Sequence, residues 1–598
     1  MRIPQSRRPG IGVDGLERPS AAPPRPWRVQ FVVAALAASA LGLLGRAVYL
    51  NLNQGEFLRN EGDARHVRTV TSHAPRGVIR DRNGTALAMS TAIESIWIDP
   101  REAVRERYRW PELAAAAAVD SEELARKLDE RSERSFVYLR RHVEPDVAAR
   151  VRSLGIAGVY IEREFRRYYP EAEVAAHVVG FTNIDGQGQE GVEFAYDEVL
   201  KGHSGAKEVI QDRLGRSVED VQNVSSARPG RDVYLTIDVR LQSLAHRALK
   251  AAVQRHEAEA GSVVVVDVRT GEIHAMVNQP SYNPNDPAKR KGPATRNRAV
   301  TDMFEPGSTV KPFAVMAALE SGVAGPRTTV DTSPGFLKLG RNVVRDRRDL
   351  GELDVAGVIR LSSNVGVSRI ALATPPDRLW DAYAGVGFGS ASGSHAVGES
   401  SGVLKRSRRF GDFERATLSY GYGLAVTALQ LARAYAVFAN AGKRLELRLE
   451  TLDPTGGGAP PAATTRVMSD ATARKMVEML EAVVDTKDGT GRRARIRGYR
   501  VAGKTGTTRK AISGGYAKRR YLSLFTGLAP VSDPRFVVAV VIDDPRGKKY
   551  YGGEVAAPVF KTVMADALRL NAVPPDSSRT PPRNAATENY ALVQDARG

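Results

Sequence analysis

Apolar residues are concentrated in one uninterrupted stretch close to the start of the chain. No charged residue occurs from Val29 to Gly45, and apolar character resumes after Arg46 as far as Leu52. At about 1.5 Å per residue, a helix over 29–52 is long enough to cross a bilayer, with the Arg46 side chain extending to the interface. The pattern therefore predicts a single transmembrane anchor.

The segment before this anchor is basic. Residues 1–28 hold six arginines against Asp14 and Glu17, which predicts a cytoplasmic tail and places the chain after about residue 53 on the outer side. A cleaved signal peptide is the competing interpretation, because Ala38-Ser39-Ala40 has a small-x-small form. That triplet lies inside the apolar run, with three leucines still to follow, so a retained anchor is favoured.

Short apolar and polar segments alternate over residues 53–230, and no helical run dominates. Residues 76–84 predict a strand that enters an Asn-Gly turn. Residues 111–155 are rich in Ala and Leu with alternating charges, which predicts short helices. We interpret 53–230 as a mixed, non-catalytic domain.

A second domain begins near residue 231. A strand over 233–237 leads to Asp238, a candidate cap for a helix whose apolar stripe runs from Leu241 to Ala252. Later segments predict a hairpin at 262–266 and 273–277, a buried helix at 424–438, strands at 522–528 and 536–542, and an amphipathic helix at 558–570. Helices either side of a run of strands predict a sheet covered on its faces, an α+β arrangement. From 573 on, Pro, Ser, Arg and Asn dominate and predict a disordered tail.

The composition is that of a folded, basic protein. Of 598 residues, 42% are hydrophobic and 26% charged, and 87 Lys and Arg against 68 Asp and Glu give a net charge of +19. This length requires several structural units, and a basic excess suits nucleic acid, anionic lipid or another polyanion. No zinc-finger, phosphate-loop or aromatic RNA-binding motif occurs, so we expect no nucleic-acid partner. Without cysteine there are no disulfides or thiolate metal sites.

A candidate nucleophile lies in Phe304-Glu305-Pro306-Gly307-Ser308-Thr309-Val310-Lys311-Pro312. Ser308 and Lys311 are three residues apart, so both lie on one face of a helix. A lysine whose pKa is lowered by burial and nearby cations can take the serine proton. Pro306-Gly307 suits a sharp turn into a helix N-terminus, whose N–H groups can hold an oxyanion. The same S-x-x-K form occurs at Ser204–Lys207, so the motif proves little by itself.

Two later motifs supply partners for this pair. Ser362-Ser363-Asn364 follows an apolar segment, and Lys504-Thr505-Gly506-Thr507 follows a predicted strand. Ser-x-Asn also occurs at 281–283, whereas Lys-Thr-Gly occurs once. Chance explains any one motif, but not all three in this order after a membrane anchor.

Acyl transfer gives each motif a role. We expect Ser308 to attack a carbonyl carbon while Lys311 takes its proton. Ser362 can relay that proton to the leaving amine, and Asn364 can hold the substrate amide. Lys504 keeps the local potential positive, which favours a neutral lysine next to the serine and attracts an anionic substrate.

The last motif is expected to bind the substrate. The hydroxyls of Thr505 and Thr507 can bind a terminal carboxylate, and Gly506 lets a substrate backbone approach closely. The backbone N–H groups of Ser308 and Thr507 are the expected oxyanion donors.

Together, the motifs resemble those of class B penicillin-binding proteins, the serine D,D-transpeptidases that cross-link peptidoglycan. The resemblance covers roughly residues 29–571. Besides the three motifs it includes six segments: Arg76–Gly84, Glu414–Thr417, Tyr420–Gly423, Gln430–Ala432, Tyr550–Gly553 and Ala557–Phe560. It implies an α+β protein with a transmembrane helix, a dimerisation-type pedestal over 53–230, and a β-lactamase-like domain with an antiparallel sheet over 231–572.

Within that class, the division-specific members are the most similar. They have Ser-Ser-Asn where elongation enzymes have a Ser-x-Asp form, and Lys-Thr-Gly-Thr also differs from the Lys-Ser-Gly-Thr usual in elongation enzymes. Leu361 departs from the pattern, because a Lys often precedes Ser-Ser-Asn.

The resemblance implies cross-linking of septal peptidoglycan during cell division. The donor would be a D-Ala-D-Ala stem peptide on lipid-linked nascent glycan, and the acceptor the side-chain amine of a neighbouring stem. Acyl-Ser308 would form with loss of D-Ala, β-lactams would acylate the same serine, and no metal or organic cofactor is implied. The catalytic domain would be periplasmic, on a single-pass inner-membrane protein working with an FtsW-type polymerase and other divisome proteins.

Several alternatives stay open. A bifunctional enzyme would need a glycosyltransferase domain, and 53–230 shows no paired-carboxylate motif for one. A β-lactamase or D,D-carboxypeptidase would deacylate with water, which the anchor and long pedestal disfavour. A penicillin sensor or divisome scaffold would not need Lys311, Asn364 and Lys504 intact. An elongation-type transpeptidase is the alternative inside the class.

Overall fold

The computed structural model describes residues 26–53, 67–211, 217–406, 411–451, 463–512 and 514–576. The chain divides into two compact units. One unit takes in residues 1–70 and 206–224, and the other takes in residues 71–205 and 225–598.

The first unit contains the predicted anchor. Helix α1 extends over Pro26–Asn53, somewhat beyond the predicted 29–52, and its apolar side chains are exposed. By length and composition it is able to cross a membrane. The same unit holds a three-stranded sheet in the order β1-β6-β7, formed by β1 Val67–Ser72, β6 Gly205–Gln211 and β7 Ser217–Ser225. Residues 212–216, which include most of a turn suggested by the sequence, lie outside the described residues.

The second unit begins with the pedestal, which we define as residues 71–205 and 225–235. Its elements are β2 Ile79–Arg80, β3 Ala86–Ile98, α2 Pro100–Ala103, α3 Trp110–Ala117, α4 Ser121–Asp129, β4 Val137–Val143, α5 Pro145–Leu154, β5 Val159–Tyr168, α6 Ala176–Val179, α7 Gly191–Ala195, α8 Asp197–Leu200 and β8 Val233–Tyr234. Its sheet has the order β4-β3-β2-β8, and β5 also pairs with β3. The Asn-Gly turn predicted after β2 is present, with Gly84 at a φ of 86°.

One part of the helical prediction for 111–155 is wrong. Helices α3, α4 and α5 form, but residues 137–143 are strand β4, which pairs with β3. The physical reason is a period of two: Val137, Leu139 and Val143 are spaced by even numbers and so share one face of the strand, with Val137 and Val143 buried and Leu139 packed on the core. Arg141 falls on that apolar face and hides the alternation within an Ala- and Leu-rich region.

A buried ion pair network stabilises the pedestal. The Glu193 carboxylate, fully buried, accepts hydrogen bonds from Nε of Arg76 at 2.6 Å and Nε of Arg167 at 2.5 Å. Arg76 also donates to Asp197 at 2.7 Å. Burying two guanidinium groups is costly unless a carboxylate neutralises them, so Glu193 fixes helix α7, which contains it, against the sheet.

The C-terminal domain, residues 236–576, is built on a five-stranded sheet. Its strand order is β10-β9-β21-β20-β19, and all neighbouring strands are antiparallel. The strands are β9 Ala260–Asp267, β10 Ile273–Gln279, β19 Ala502–Ile512, β20 Gly515–Ala529 and β21 Phe536–Asp543. The longer helices of the domain are α9 Val239–Arg255, α11 Lys311–Glu320, α13 Asn364–Ala373, α14 Pro376–Gly385, α16 Ala428–Ala439, α17 Asp470–Asp485 and α18 Gly552–Leu570.

Shorter elements surround the cleft described below. They are α10 Arg298–Thr301, β11 Thr329–Asp331, β12 Phe336–Leu339, β13 Asn342–Arg345, β14 Glu352–Asp354, α12 Val355–Leu361, β15 Val403–Leu404, α15 Asp412–Ser419, β16 Leu424–Ala425, β17 Lys443–Leu445 and β18 Thr464–Arg466.

Alternating strand residues face two helical layers. Val263 and Val265 of β9 pack with α9 and α18 in one core cluster, whereas Val264 and Val266 belong to a second cluster with α11, α16 and α17. The predicted sheet covered by helices, the cap at Asp238 and the hairpin of β9 and β10 are confirmed.

Two boundaries differ from the sequence prediction. The buried helix expected over 424–438 begins only at Ala428, because Thr427 and Gln430 form a reciprocal cap and Leu424–Ala425 pairs with β15 instead. The expected 233–237 strand is two residues long, and Leu235 forms a single bridge to Glu450.

The chain stays ordered beyond residue 572, where the disordered tail was expected to begin. The Tyr499 hydroxyl donates to the carbonyl of Val573 at 2.6 Å, and the buried Asp576 carboxylate accepts from the N–H groups of Arg500 and Ser532. Residues 577–598 lie outside the described residues.

Glu193→Gln tests the buried network. A neutral amide leaves two buried arginines under-neutralised, so the free energy of unfolding should fall by about 3–5 kcal/mol. Urea unfolding followed by tryptophan fluorescence measures it. Glu133→Gln, at an exposed position, is the matched control and should change stability by no more than about 0.5 kcal/mol. Equal unfolding midpoints for the two variants would contradict a stabilising role for the network.

Candidate active site

The predicted nucleophile lies on a tight turn that leads into a helix. Residues Gly307–Val310 form a 3₁₀ turn, and α11 continues from Lys311, with Pro312 as its second residue. Since a 3₁₀ turn has about three residues, positions i and i+3 are eclipsed, and Ser308 and Lys311 share a face. Gly307 has a φ of 54° and donates its N–H to the carbonyl of Gly421 at 3.2 Å.

Close packing explains the glycines on this turn. A Cβ on Gly307 would lie 2.1 Å from Thr508 Cγ2, and a Cβ on Gly421 would lie 2.3 Å from the Gly307 nitrogen. Behind the turn, the buried Tyr435 hydroxyl donates to the carbonyl of Thr309 at 2.7 Å. The turn is thus held between β19, the segment around Gly421 and helix α16.

Lys311 is fully buried and reaches the Ser-Ser-Asn motif. Its Nζ donates to the carbonyl oxygen of Ser362 at 2.5 Å and to Oδ1 of Asn364 at 2.8 Å, and it lies 3.2 Å from Ser362 Oγ. The first two partners are carbonyl oxygens that only accept. They can use both N–H groups of a neutral amine, which leaves its lone pair for a hydroxyl.

Lys504 approaches the same hydroxyl from the sheet. It lies on β19, opposite Thr526 of β20, and is also fully buried. Its Nζ donates to Ser362 Oγ at 3.0 Å and to the carbonyl of Thr505 at 3.1 Å. One serine hydroxyl therefore lies between two buried lysine nitrogens.

Burial and mutual repulsion lower the pKa of both lysines. Burial lowers the pKa of Lys311 well below the usual 10.5, and the charges of Lys504 and Arg347 lower it further, while Asp346 raises it. Burial is also the main reason that the pKa of Lys504 falls to about 7, and Arg347 adds to the effect. A neutral Lys311 beside a partly charged Lys504 is the arrangement that these shifts favour.

Asp346 positions the Ser-Ser-Asn motif and was missed by the sequence reasoning. Its carboxylate accepts from Ser363 Oγ and the Asn364 N–H, both at 2.5 Å, and from the Val365 N–H at 3.3 Å. Ser363 caps α13 by accepting from Gly366 N, while Ser362 takes a left-handed conformation with a φ of 63°. Asp346 follows strand β13, far from any motif, so no local pattern marks it.

In the Lys-Thr-Gly-Thr segment, Gly506 has a packing role that the sequence did not predict. Gly506 was expected to admit a substrate backbone, but a Cβ there would lie 2.9 Å from Thr309 Cγ2 and 3.1 Å from Leu524. Packing of β19 against the nucleophile turn therefore already requires glycine. Thr505 Oγ1 donates to Thr490 Oγ1 at 3.0 Å, and Thr507 Oγ1 accepts from the Gly552 N–H at 3.0 Å.

All eight predicted site residues come together. A cleft of about 1020 Å³ is lined by Ser308, Ser362, Asn364, Thr505 and Thr507, and the other three residues lie directly behind its wall. The competing S-x-x-K at 204–207 does not form a helical pair, because Ser204 precedes β6 and Lys207 lies on that strand. No cluster of three or more metal-ligating side chains occurs among the described residues.

Comparison with known proteins agrees with this geometry. Residues 261–565 match the penicillin-binding protein transpeptidase domain, and residues 71–235 match the penicillin-binding protein dimerisation domain. The chain is 41% identical over 563 residues to the peptidoglycan D,D-transpeptidase FtsI of Escherichia coli K12, covering 93% of this chain and 94% of that one. It is 40% identical to the probable peptidoglycan D,D-transpeptidase PbpC of Pseudomonas aeruginosa, covering 95% and 99%.

A solved structure shows the same architecture. Penicillin-binding protein 3 of Mycobacterium tuberculosis, complexed with aztreonam, matches with a TM-score of 0.66 at 28% identity, over 85% of this chain and 98% of that one. The two domains and the cleft between helix and sheet define a penicillin-binding transpeptidase. The chain belongs to the penicillin-binding protein family. The identity and coverage of the sequence comparison place it among the peptidoglycan D,D-transpeptidases related to FtsI.

Asp346→Asn tests the positioning of the Ser-Ser-Asn motif. An amide lacks the charge and one of the two acceptor oxygens, and hydrogen bonds to charged groups contribute about 1.5–3 kcal/mol. We expect acylation by a fluorescent penicillin to slow by about tenfold or more. Asp349→Asn is the control, since the exposed Asp349 carboxylate lies on the same loop and accepts from the Gly351 N–H rather than from the motif. Equal acylation rates in the two variants would show that Asp346 does not position the motif.

Proposed function

We propose that Ser308 is the acyl-ester nucleophile of a serine D,D-transpeptidase that cross-links septal peptidoglycan. The observation that carries this is the Ser362 hydroxyl, which lies 3.2 Å from the nitrogen of Lys311 and 3.0 Å from that of Lys504. Such a shared hydroxyl is a proton path between a base on the nucleophile's side and a cation on the sheet side.

Acylation uses the Ser308 hydroxyl and the Lys311 amine. Ser308 Oγ attacks the carbonyl carbon between the two D-Ala residues of the donor, and Lys311 Nζ takes the hydroxyl proton. The backbone N–H groups of Ser308 and Thr507 stabilise the oxyanion. The proton then passes through Ser362 Oγ to the nitrogen of the departing D-Ala, so that the C–N bond breaks and acyl-Ser308 remains.

Transfer reverses the same proton path. The side-chain amine of a neighbouring stem peptide attacks the acyl-ester carbon and loses its proton towards Lys311, and the Ser308 oxygen leaves and recovers a proton. Asn364 holds the substrate amide, which is compatible with its Nδ2 group donating to Arg345 and its Oδ1 accepting from Lys311. No step needs a metal or organic cofactor.

The Lys-Thr-Gly-Thr motif binds the C-terminal carboxylate of the donor peptide. Thr507 Oγ1 accepts from Gly552, so its own hydrogen is available to a carboxylate, and Thr505 lies two residues away on the same strand. Lys504 supplies positive potential behind them. Gly506 allows β19 to lie against the nucleophile turn, and both threonines line the same cleft as Ser308.

The proposal extends to the location and partners of the protein. Helix α1 anchors it in the inner membrane with the basic tail 1–28 in the cytoplasm and both folded domains in the periplasm, as the charge asymmetry favours. There it acts on lipid-linked nascent glycan together with an FtsW-type polymerase and other divisome proteins, through the membrane helix and the pedestal.

Ser308→Ala tests the nucleophile. The full-length protein in detergent should form a stable adduct with fluorescent penicillin that maps to Ser308, and the variant should form none. Ser204→Ala, in the competing S-x-x-K, is the matched control and should label like the wild type. Stem-peptide cross-linking should be lost with the adduct. A stable adduct without cross-linking, even with the polymerase present, would favour a sensor or scaffold, and rapid loss of the adduct would favour a β-lactamase.

Acylation should depend on pH through both lysines. The rate rises as Lys311 loses its proton, and it falls as Lys504, whose pKa is about 7, loses the charge that draws the anionic substrate. Arg347→Gln removes a cation that lowers this pKa, so the descending limb should move to higher pH. Arg341→Gln, exposed and outside the cleft, should leave the limb in place. An unshifted limb in Arg347→Gln would disprove this coupling.

A further inference from the structure

The cleft beside Ser308 carries more positive than negative side chains. Its lining includes five arginines, Arg347, Arg348, Arg492, Arg493 and Arg495, and three carboxylates, Asp346, Asp488 and Glu554. Such an excess raises the local potential and draws anions into the cleft.

Each of these carboxylates already has a partner. Asp346 accepts from the Ser-Ser-Asn motif, Asp488 lies 3.3 Å from Arg360, and Glu554 lies 3.1 Å from Arg493. Arg495 lies 3.4 Å from Asp485. The acids of the cleft therefore leave part of its positive charge unneutralised.

Three arginines remain without an acid. Within the described ranges, no carboxylate oxygen lies within 4.0 Å of the guanidinium groups of Arg347, Arg348 or Arg492. Among the residues that the structure describes, the Arg492 guanidinium donates only to the carbonyl of Lys487, at 3.3 Å. Each of the three is exposed at the cleft, where a ligand can reach it.

Arg347 differs from the other two because an aromatic column holds it. Its guanidinium carbon lies 4.2 Å from the ring centre of Tyr551. Tyr551 packs on Tyr550 with ring centres 4.3 Å apart, and Tyr550 stacks on Tyr521 of β20, also at 4.3 Å. The Ser523 hydroxyl donates to the Tyr550 carbonyl at 2.5 Å, which fixes the column to the sheet.

A stacked guanidinium keeps its donor edge free. Cation–π stacking uses the face of the group, while its N–H groups point outward in the plane as a fork that matches a carboxylate. Because the column orders the side chain in advance, little conformational entropy remains to be lost on binding. Arg347 is therefore built for a planar anion.

We propose that Arg347 is a specificity-determining residue that binds a carboxylate of the stem peptide other than its C-terminal one, with Arg348 and Arg492 strengthening the attraction. The inference rests on the proposed function, which assigns the C-terminal carboxylate to Thr505 and Thr507. The chemical class of ligand is a peptide with an acidic side chain close to the scissile bond. The carboxylate belongs either to the donor or to the acceptor stem.

The experiment compares peptides that differ by one charge. In the donor arm, two peptides compete with fluorescent penicillin for Ser308 in the full-length protein: acetyl-L-Glu-D-Ala-D-Ala and acetyl-L-Gln-D-Ala-D-Ala. In the acceptor arm, a D-amino acid is compared with its amide as the acceptor of the acyl group. Competition reports binding whether or not the peptide is turned over, so loss of transpeptidation and loss of this subsite are distinguishable.

In either the donor or the acceptor comparison, we expect the acidic probe to bind about tenfold more tightly than its amide, as one charge-assisted contact allows. Arg347→Gln should reduce that ratio to about one, and Arg347→Lys should give an intermediate ratio because a point charge lacks the fork. Arg341→Gln should keep the wild-type ratio. Penicillin adduct formation by each variant verifies that it is folded.

The outcome shows which stem peptide supplies the carboxylate and whether Arg347 binds it at all. Discrimination in the donor arm places the carboxylate on the donor, and discrimination in the acceptor arm places it on the acceptor. Equal binding of acidic and amide probes in both arms, or discrimination that persists in Arg347→Gln, would overturn the proposal. Higher ionic strength should weaken the discrimination, since the cleft is open to solvent.

Discussion

Two buried lysines around one serine hydroxyl are the constraint on which the rest of the site depends. Lys311 and Lys504 both contact Ser362 Oγ and both are fully buried. Two ammonium groups that share one hydroxyl would repel one another strongly in a medium of low polarity, so burial and repulsion lower the pKa of both lysines and favour a neutral nitrogen. The fold thus produces a basic amine near neutral pH from its geometry, through burial and repulsion.

That geometry requires side chains from three separate elements to lie within hydrogen-bond distance of one another. The nucleophile turn, the Ser-Ser-Asn motif and β19 come from distant parts of the chain, and rigid contacts hold each. Gly307, Gly421 and Gly506 allow close packing where a Cβ would collide with a neighbouring side chain or backbone. Asp346 holds the Ser-Ser-Asn turn, in which Ser362 has a left-handed conformation. A loose support would change the lysine distances and hence their pKa values.

Sequence reasoning found the parts of this design whose chemistry is local. The three motifs are recognisable in the sequence because acyl transfer needs a serine, a base and a cation. The layered fold follows from the apolar periodicity of the helices and strands. It missed Asp346 because the partners of that carboxylate come from a remote segment. Strand 137–143 was missed because Arg141 interrupts its apolar face, and the packing of Gly506 against Thr309 was not foreseen because this tertiary contact is invisible in the sequence.

The positive charge of Arg347 both affects the pKa values of the two lysines and attracts an anionic ligand. Arg347 lowers the pKa of Lys311 and of Lys504, which favours a neutral base beside the serine. The same guanidinium stacks on Tyr551 and forms no ion pair among the described residues, so no adjacent carboxylate cancels its field. A carboxylate that bound there would neutralise it and raise both pKa values. An acidic ligand at Arg347 and the protonation of the two lysines are therefore linked, and each must alter the other.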